Sequence, residues 1–468
     1  MATNELTIKN LSCKYNQNTI FKNLNINFSN SSLNVVIGEN GSGKSTLFKF
    51  MCGLLPNNAK FSGNIFFNEK DILNLPSNEL SKYLTLMLQD SEQQFSMENL
   101  QNELIFTLEN LELSPEEINK RISWALNITN SKELLNKPIH QLSNGEKQKA
   151  ALTVALAMQS KALLLDEPFA NVDTKSQIEL INRLNIISKK LNKIVIIIDH
   201  DLTKYTNIDN IYSIDKKNKT IKILSIKEKR DLLKQETHIK KTLSIPNADD
   251  QNNIISFNNF SIEQPKKLIT KQNLSLFANK ITVITGNNGT GKSTFLKSII
   301  KMHSYQGEIT YKNKNLKNIN LNNWLLTTNL VFTIPEQQFL QNSLAEELQQ
   351  NIKLSKNNYS TKLIGKILKE LDLIQEINKP IYTLSIGQQK KAQIASMLFL
   401  PHKIILLDEP FANLDPQSVK KTIKLINYFK EVYKKTFIIV SHQTNYIKNY
   451  VDLHINLKEQ KLSYVGEI

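Results

Sequence analysis

Two short glycine-rich segments, each ending in a lysine and hydroxyl residues, are the strongest chemical signal in the sequence. They read GENGSGKST (38–46) and GNNGTGKST (286–294). Glycines let a loop turn tightly, so that backbone N–H groups at the start of the next helix surround phosphate oxygens. The lysine neutralises charge on the β- and γ-phosphates, and the serine hydroxyl is a ligand for Mg²⁺. The two segments therefore predict two sites for nucleotide phosphates.

Each half of the chain also has two adjacent acidic residues at the end of an apolar run. They are Asp166 and Glu167 in LLLDEPFANVD, and Asp408 and Glu409 in ILLDEPFANLD. The carboxyl ends of strands are where α/β sheets bind their ligands. An aspartate there suits the coordination shell of Mg²⁺, and the adjacent glutamate can orient or deprotonate an attacking water. The pattern therefore predicts hydrolysis of the bound nucleotide.

The spacing of the motifs indicates an internal repeat. LSNGE (142–146) precedes LSIGQ (384–388) by 242 residues, and the same interval separates the two acidic motifs and His200 from His442. Lys44 and Lys292 lie 248 residues apart. Eight of the 13 glycines fall in these motifs, which fits their use where no other residue is tolerated. We predict two homologous halves.

The predicted domain boundaries follow from this repeat. The first domain covers 1–235, the linker 236–252 and the second domain 253–468. The stretch around the linker, 227–253, is charged and rich in amides, and it has no strong apolar period.

Short apolar strands alternate with helical patterns in each half. In the first half the strands are LNVVIG (33–38), ALLLDE (162–167) and KIVIIIDH (193–200), and a helix is predicted over 146–161. Such alternation is typical of an α/β fold in which helices flank a mainly parallel sheet.

On these motifs the sequence resembles the ATP-binding-cassette (ABC) ATPases over essentially its whole length. The resemblance implies two P-loop nucleotide-binding domains in tandem, each with a helical subdomain that carries the family signature LSGGQ. The signatures here depart from that pattern at Asn144, Glu146 and Ile386. In the family the signature completes the site held by the other half, so the two halves would pair within one chain. The residues concerned are Ser143, Gly145, Ser385 and Gly387.

The resemblance also assigns individual roles, with ATP as substrate and Mg²⁺ as cofactor. The catalytic residues would be Glu167, Glu409, His200, His442 and the phosphate-sensing Gln89. ATP would contact Tyr15, Gly38, Asn40, Gly41, Gly43, Lys44, Ser45, Thr46, Gly286, Asn288, Gly289, Gly291, Lys292, Ser293 and Thr294. Mg²⁺ would be held by Ser45 and Asp166 at one site, and by Ser293 and Asp408 at the other.

The two halves differ in two accessory positions. Alignment of the halves places Gln264 opposite Tyr15, the residue expected to stack on adenine, and Thr333 opposite Gln89. We expect the second site to be weaker than the first but active. The alternative is that both substitutions are neutral.

The segment 89–110 resembles the corresponding region of energy-coupling-factor importer ATPases, where it meets the membrane subunit. Glu103, Phe106 and Glu109 are the predicted partner contacts, and Glu347 stands opposite Glu103. The alternative is that these are ordinary residues of a helix surface.

Composition limits the class of protein. No apolar run approaches the ~20 residues of a membrane span, and we expect no signal peptide. Two cysteines indicate a reducing compartment. The net charge is +16, and the basic residues are 56 lysines and only three arginines. This composition favours a solvated surface, and attraction to an anionic membrane and attraction to nucleic acid are the alternatives. We expect a peripheral protein on the cytoplasmic face of the cell membrane.

The favoured function is the ATPase subunit of an ABC transporter. It would drive separate transmembrane subunits, a scaffold and a substrate-binding component, in uptake of a vitamin, metal ion or similar micronutrient. Tandem sugar-importer ATPases are a related possibility. The alternative class is a tandem ABC ATPase that acts on ribosomes or nucleic acid. Because the linker is short and Ala170-Asn171 and Ala412-Asn413 follow the acidic motifs, we expect no nucleic-acid partner.

Overall fold

A computed structural model describes residues 4–15, 18–29, 32–39, 41–170, 172–205, 208–235, 241–246, 252–263, 266–355 and 359–468. The chain divides into two compact units, Met1–Thr237 and His238–Ile468. Each unit is described by itself.

The first unit combines ten strands and seven α-helices in its described residues. The strands are β1 (Glu5–Tyr15), β2 (Asn18–Ser29), β3 (Ser32–Gly38), β4 (Ala59–Phe67), β5 (Lys70–Asp71), β6 (Leu84–Met87), β7 (Ala162–Asp166), β8 (Ile194–Ile198), β9 (Asn210–Asp215) and β10 (Thr220–Ile223). The helices are α1 (Lys44–Met51), α2 (Ser77–Tyr83), α3 (Leu100–Glu109), α4 (Pro115–Thr129), α5 (Asn144–Ala157), α6 (Thr174–Lys190) and α7 (Ile226–Gln235).

A six-stranded sheet in the order β10-β9-β3-β8-β7-β6 is the framework of the first unit. Its strands pair in parallel except for the antiparallel pair β9 and β10. Every residue of β7 and β8 is buried, which explains their continuous apolar sequences. The predicted mainly parallel sheet is confirmed, with β3, β7 and β8 as the three predicted strands.

The first unit also contains a four-stranded antiparallel sheet, β2-β1-β4-β5, that the sequence did not indicate. Its apolar alternation is broken because Asn10 has a positive φ of 55°, and the pairing of β1 shifts register between Ile8 and Leu11. A register shift moves side chains to the opposite face, so the period-2 pattern becomes hard to recognise.

Helices α3, α4 and α5 form the predicted helical subdomain, which carries the signature. Apolar residues of all three join the core on one face of the six-stranded sheet. Side chains of the antiparallel sheet and α1 form a second core, together with residues of β3, β7 and β8 that face the other way. The phosphate loop therefore lies between two packed layers, because it connects β3 to α1.

The second unit repeats this architecture, except that its described residues contain no counterpart of α7. Its strands are β11 (Asn253–Ile262), β12 (Ile269–Phe277), β13 (Ile281–Thr285), β14 (Gln306–Tyr311), β15 (Lys314–Asn315), β16 (Thr328–Val331), β17 (Ile404–Asp408), β18 (Thr436–Val440), β19 (Leu453–Lys458) and β20 (Lys461–Tyr464). Its helices are α8 (Lys292–Ile299), α9 (Leu321–Leu325), α10 (Leu344–Leu354), α11 (Thr361–Glu370), α12 (Ile386–Leu398) and α13 (Pro416–Tyr433). The sheets run β16-β17-β18-β13-β19-β20 and β12-β11-β14-β15.

The stretch interpreted as linker-like contains ordered structure at both ends. Helix α7 occupies its beginning, and further on the backbones of Lys241 and Leu243 hydrogen-bond to Ile468 and Gly466 in the second unit. The boundaries at 235 and 253 stay a prediction. Among the helices described in both units, none is long and apolar enough to cross a membrane.

Candidate functional site

The two phosphate loops have the backbone geometry that their glycines predict. Gly43 and Gly291, which cap α1 and α8, have φ values of 99° and 105°, a region that L side chains rarely adopt. A Cβ on Gly43 would lie 2.5 Å from Cγ2 of Ile20, and one on Gly291 would lie 2.9 Å from Cβ of Leu268. Both positions therefore require glycine.

The remaining loop residues are placed as the spacing predicts. Ser45 and Thr46 lie in the first turn of α1, and Ser293 and Thr294 lie in the first turn of α8. Gly41 and Gly289 have similar φ values of 74° and 72°. Other predicted residues here are Gly38 at the end of β3, Gly286 after β13 and Asn288, which is exposed, whereas Asn40 lies outside the described residues.

Both loop lysines point their ammonium groups at the loop itself. Nζ of Lys44 donates to the carbonyls of Gly38 and Glu39 at 2.9 and 3.0 Å. Nζ of Lys292 donates to Gly286 and Asn287 at 2.7 and 2.8 Å. Each ammonium group thus lies against the backbone of its loop, and a positive charge there suits the binding of a polyphosphate at the start of the helix.

The two predicted catalytic glutamates share a strained backbone. Glu167 and Glu409 have φ values of 48° and 47°, in the left-handed region. A non-glycine residue there costs about 1 kcal/mol. The conformation is held because each amide donates to the neighbouring strand, Glu167 to Ile198 and Glu409 to Val440, both at 3.0 Å. The bend turns each carboxylate towards the histidine that follows that strand.

In the first unit the histidine and glutamate form a tight pair. Nε2 of His200 lies 2.9 Å from Oε1 of Glu167, and both side chains are about nine-tenths buried. Burial opposes ionisation of Glu167, but the interactions with His200, Lys44 and Gln89 together outweigh it, with His200 contributing most. The pKa of Glu167 is therefore held below its ordinary value. The structure brings Gln89, Lys44, Glu167 and His200 together at one site.

In the second unit the same backbone carries a different arrangement. Nε2 of His442 lies 3.4 Å from Oε1 of Glu409, and the amide of His442 donates to Oε2 at 3.3 Å. The hydroxyl of Thr333, opposite Gln89, donates to Oδ2 of Asp408 at 2.9 Å. Burial and the charge of Asp408 raise the pKa of Glu409, although Lys292 opposes them.

The residues predicted to hold Mg²⁺ fit a hard divalent cation. The first site offers the carboxylate of Asp166 and the hydroxyl of Ser45, which hydrogen-bond to each other. Oδ1 of Asp166 is buried, and no hydrogen bond reaches it from the described residues. Burial and the charge of Glu167 raise the pKa of Asp166 to about 6. A buried acceptor of this kind suits a cation, because burial without a partner is costly. At the second site Ser293 donates to Oδ1 of Asp408 at 3.0 Å.

The predicted adenine contact lies beside the first phosphate loop. The hydroxyl of Tyr15 hydrogen-bonds with the side chain of Thr46, and burial raises the pKa of Tyr15. This contact fixes the half-buried ring next to the start of α1. The residue opposite, Gln264, lies outside the described residues.

The signature residues occupy the first turns of α5 and α12. Ser143 and Ser385 are N-caps with exposed side chains, and Gly145 and Gly387 follow two residues later. In the first unit the hydroxyl of Ser143 donates to Oε2 of Glu146 at 2.8 Å, and Glu146 also pairs with Lys137. In the second unit a neutral Gln388 closes the capping box. The first signature is therefore the more acidic.

A buried ionic cluster behind His200 was not recognised in the sequence. Asp199 accepts a hydrogen bond from Tyr205 at 2.7 Å, pairs with Lys204 at 3.0 Å and accepts the amide of His200 at 2.7 Å. The second unit has Ser441 instead of Asp199. The sequence DHD, in which acidic residues flank His200, was the signal that could have indicated this buried cluster.

The predicted partner contacts separate into two groups. Phe106 is 41% exposed and Glu109 is also exposed, so both are available. The prediction is wrong for Glu103, which is buried because Oε2 accepts the amides of Ser96 and Met97 at 2.8 Å. Glu347 is buried in the same way and accepts the amides of the loop before α10. Glu103 therefore stabilises a loop of the first unit, as Glu347 does in the second.

Comparison with known proteins identifies the family. The model of the ABC transporter family matches residues 21–170 and 269–412, which together exceed half of the chain. Each range contains one phosphate loop and one Asp-Glu pair. The chain belongs to the ABC transporter family and is a tandem ABC ATPase.

Curated relatives resemble the chain along almost its full length. A provisionally named ABC transporter ATP-binding protein of Bacillus anthracis is 28% identical over 487 residues, which cover 92% of this chain and 84% of that protein. A provisionally named HMP/thiamine import ATP-binding protein of Bacillus subtilis is 25% identical over 506 residues, covering 98% of this chain and 91% of its own.

Solved structures share the fold. A chain named RNase-L Inhibitor aligns with a TM-score of 0.65 and 18% identity, covering 98% of this chain and 90% of that one. A chain from a structure titled as ribosome-bound archaeal Pelota and ABCE1 aligns with a TM-score of 0.70 and 18% identity, covering 98% and 78%. These likenesses establish the tandem ABC architecture.

Proposed function

We propose that this ABC ATPase is the motor subunit of a transporter and hydrolyses ATP to drive separate transmembrane subunits. The observation that supports hydrolysis best is the buried pair of His200 and Glu167 beside Lys44, at the carboxyl end of β7 and β8. Such a pair supplies an ionised acceptor for a water proton next to a centre of phosphate charge.

Hydrolysis at the first site follows from these positions. Lys44 and the amides of α1 bind the phosphates of ATP. Nε2 of His200 holds Glu167 through Oε1, and the ionised carboxylate accepts a proton from water. The water oxygen forms a bond to the γ-phosphorus while the bond from that phosphorus to the bridging oxygen breaks, giving ADP and phosphate. His200 keeps the glutamate oriented and ionised.

Ser45 and Asp166 would hold Mg²⁺ at the first site, and Ser293 and Asp408 at the second. The cation supplies charge neutralisation for the β- and γ-phosphates when it is bound. The protein presents serine hydroxyl and aspartate carboxylate oxygens to this cation, and the ends of β7 and β17 fix where the carboxylates lie.

Each site would be completed in trans by the signature of the other half. Ser385 and Gly387 would serve the first site, and Ser143 and Gly145 would serve the second. Both serines lie exposed at helix N-termini, where hydroxyl and amide donors suit a γ-phosphate. Pairing within one chain makes the association intramolecular. Because Glu146 adds negative charge to the first signature, the second site would bind phosphate less well.

The transport role is supported by the relatives, which are named as ABC transporter and HMP/thiamine import ATP-binding proteins and align over 92 and 98% of this chain. A micronutrient importer of the energy-coupling-factor type is the form of transport that we propose. It places the chain at the cytoplasmic face of the membrane, bound to a scaffold and a substrate-binding subunit. The second candidate is an ATPase acting on ribosomes, the setting named for one structural neighbour.

Phe106 and Glu109 are the proposed docking residues. They lie in α3, which follows the loop that carries Gln89, so a movement at the nucleotide can reach them through one short connection. Phe106 supplies exposed apolar surface and Glu109 a carboxylate for a basic partner residue. Glu103 would act indirectly, by fixing the loop between Gln89 and α3.

The test measures membrane association of the intact chain expressed with its transmembrane subunits. Phe106→Asp combined with Glu109→Lys should lower the membrane-bound fraction about tenfold and leave ATP binding unchanged. Glu69→Lys is the matched control, since Glu69 is also exposed but lies in the turn between β4 and β5. If the double variant stays on membranes, or if the chain sediments with ribosomes in a salt-sensitive manner, the transport proposal fails.

A further inference from the structure

A buried lysine distinguishes the signature helix of the second unit. Lys390 lies 242 residues after Gln148, the interval that separates the two signature serines, so the two residues correspond in the repeat. Both side chains are buried, with 1% of Lys390 and 2% of Gln148 exposed. The second unit therefore has a cation where the first has a neutral amide.

The contacts of Lys390 are specific. Nζ donates to the backbone carbonyls of Phe332 and Thr333 at 3.1 and 2.6 Å, the two residues that directly follow β16. Gln393, one turn further along α12, also donates to the carbonyl of Phe332, and it donates to Oε1 of Gln338 at 2.7 Å. The first unit has Ala151 at the position of Gln393, which cannot form these bonds.

The bonds of Lys390 lead directly to the nucleotide site. Thr333, whose carbonyl accepts from Lys390, donates through its hydroxyl to Oδ2 of Asp408 at 2.9 Å. Burial lowers the pKa of Lys390 to about 8, and the charges of Asp408 and Glu409 oppose that shift, which indicates that the ammonium lies within electrostatic reach of both carboxylates. In the first unit the residue opposite Thr333, Gln89, hydrogen-bonds to Glu167 instead.

We infer that Lys390 is a positioning residue of the second site, where it fixes the loop that carries Thr333 and thereby orients Asp408 for the metal–nucleotide complex. The inference rests on the proposed function in one respect, namely that Asp408 serves the metal. Beyond the proposed function, Lys390 connects the signature helix of the second unit to Asp408 through Thr333. In the first unit the corresponding loop residue contacts the glutamate instead.

A neutral residue would not replace Lys390 fully. The ammonium donates charge-assisted hydrogen bonds, which are stronger than those of an amide, and its long side chain reaches two consecutive carbonyls from inside the helix. An unpaired carbonyl would be costly in this buried position. The loop of Thr333 should therefore become less ordered in Lys390→Gln, although that variant carries the residue of the first unit.

The test measures the metal dependence of ATP binding at the second site. A Lys44→Ala background removes nucleotide from the first site, and the half-saturating Mg²⁺ concentration for binding of radiolabelled ATP is then determined at equilibrium. Lys390→Gln should raise that concentration about tenfold, while ATP affinity in EDTA changes less than about twofold. Binding of Mn²⁺ with ATP, followed by electron paramagnetic resonance, should weaken by the same factor.

Two further variants keep the test decisive. Lys430→Gln removes another buried lysine of the same unit, which pairs with Asp452 at 3.0 Å, so it controls for general loss of stability. Thr333→Val replaces the hydroxyl with a methyl group of similar size and should reproduce the effect of Lys390→Gln. In the double variant Lys390→Gln/Thr333→Val the two effects should not add, because both act through one connection.

The possible failures are distinguishable. If the Lys44→Ala protein with Lys390 intact shows no Mg²⁺-dependent ATP binding, the assignment of the second site in the proposed function is wrong. If it does bind, but Lys390→Gln shifts the Mg²⁺ requirement no more than Lys430→Gln, the inference is overturned. Additive effects of Lys390→Gln and Thr333→Val would overturn it as well.

Discussion

The two nucleotide sites have the same backbone but different connections among their side chains. Both place a glutamate at a φ near 48° and a lysine inside a glycine loop. In the first site the loop residue Gln89 contacts Glu167, and Nε2 of His200 lies 2.9 Å from Oε1 of the same glutamate. In the second the loop residue Thr333 contacts Asp408, and His442 lies 3.4 Å from Glu409.

The repeat therefore fixes where the carboxylates lie but not how they ionise. Interactions with His200 lower the pKa of Glu167, whereas burial and Asp408 raise that of Glu409. A general base must be ionised before it can accept a proton. We therefore expect the first site to carry most of the turnover.

The largest effect should separate the two glutamates. Glu167→Gln should lower steady-state ATP turnover about 100-fold or more while ATP still binds, because the amide cannot accept the proton. Glu409→Gln should lower it less than about threefold, since its carboxylate contributes less flux. Phosphate release measured on both variants checks this comparison, with Lys44→Ala as the control that loses ATP binding at the first site. Equal losses would remove the asymmetry.

The next effect should be equal in the two units. Glu103→Ala and Glu347→Ala each leave two backbone amides without their acceptor, which should lower the free energy of unfolding by about 2 kcal/mol. Urea unfolding can be followed separately, because Trp124 lies in the first unit and Trp324 in the second. Glu116→Ala, an exposed change on α4, is the control. A loss confined to one unit would contradict the structural equivalence of these carboxylates.

A smaller effect should come from exchanging the loop residues. Gln89→Thr should lower turnover about tenfold, because Glu167 loses a hydrogen bond that supports its ionised form. At saturating Mg²⁺, which offsets the lost hydroxyl contact with Asp408, Thr333→Gln should raise turnover at the second site about twofold when measured in a Glu167→Gln background. Turnover that falls equally in both variants would mean that the loop residue acts alike at the two sites.

The smallest effect concerns acid stability. Burial lowers the pKa of His402 to about 4, and the corresponding residue of the first unit is Ser160. The folded state favours neutral His402. The contribution of this preference to the free energy of unfolding is therefore complete above the pKa of the unfolded-state histidine, near 6.5, and is lost as the pH falls towards 4. Between pH 7.5 and 5.5 the second unit should lose about 1 kcal/mol of unfolding free energy through this histidine. His402→Ser should remove that part of the pH dependence in Trp324-monitored unfolding, whereas no difference from the parent would refute it.

The fold could be predicted from sequence where burial is continuous. Strands β3, β7 and β8 are buried on both faces, so their apolar runs are unmistakable. The antiparallel sheet was missed because bulges at positive-φ residues such as Asn10 break the alternation in β1. Helix α7 was missed because charged residues dominate its sequence, which therefore resembles a solvated linker.

The candidate site could be predicted where a motif fixes both residue type and backbone. The glycine loops and Asp-Glu pairs are such motifs, and their residues lie where the spacing indicated. Glu103 could not be assigned correctly, because an acidic residue on a helix has the same sequence appearance whether it faces solvent or caps a loop. Lys390 was passed over for the same reason, since its burial depends on β16 and on carbonyls 57 and 58 residues away.

The pairing of β3 with β8 and β9 affects how the first sheet forms while the chain is being synthesised. β3 ends at residue 38, but its neighbours β8 and β9 begin at 194 and 210, so the first sheet cannot close until almost the whole unit has been translated. A second set of similar apolar strands, including β18, follows about 240 residues after β8. At roughly 5–20 residues per second, this delay gives the first sheet on the order of 10–50 s to close before β18, which is equivalent to β8, has been synthesised. Refolding of the full chain from denaturant lacks that delay, and we expect it to yield more aggregate than refolding of either unit alone.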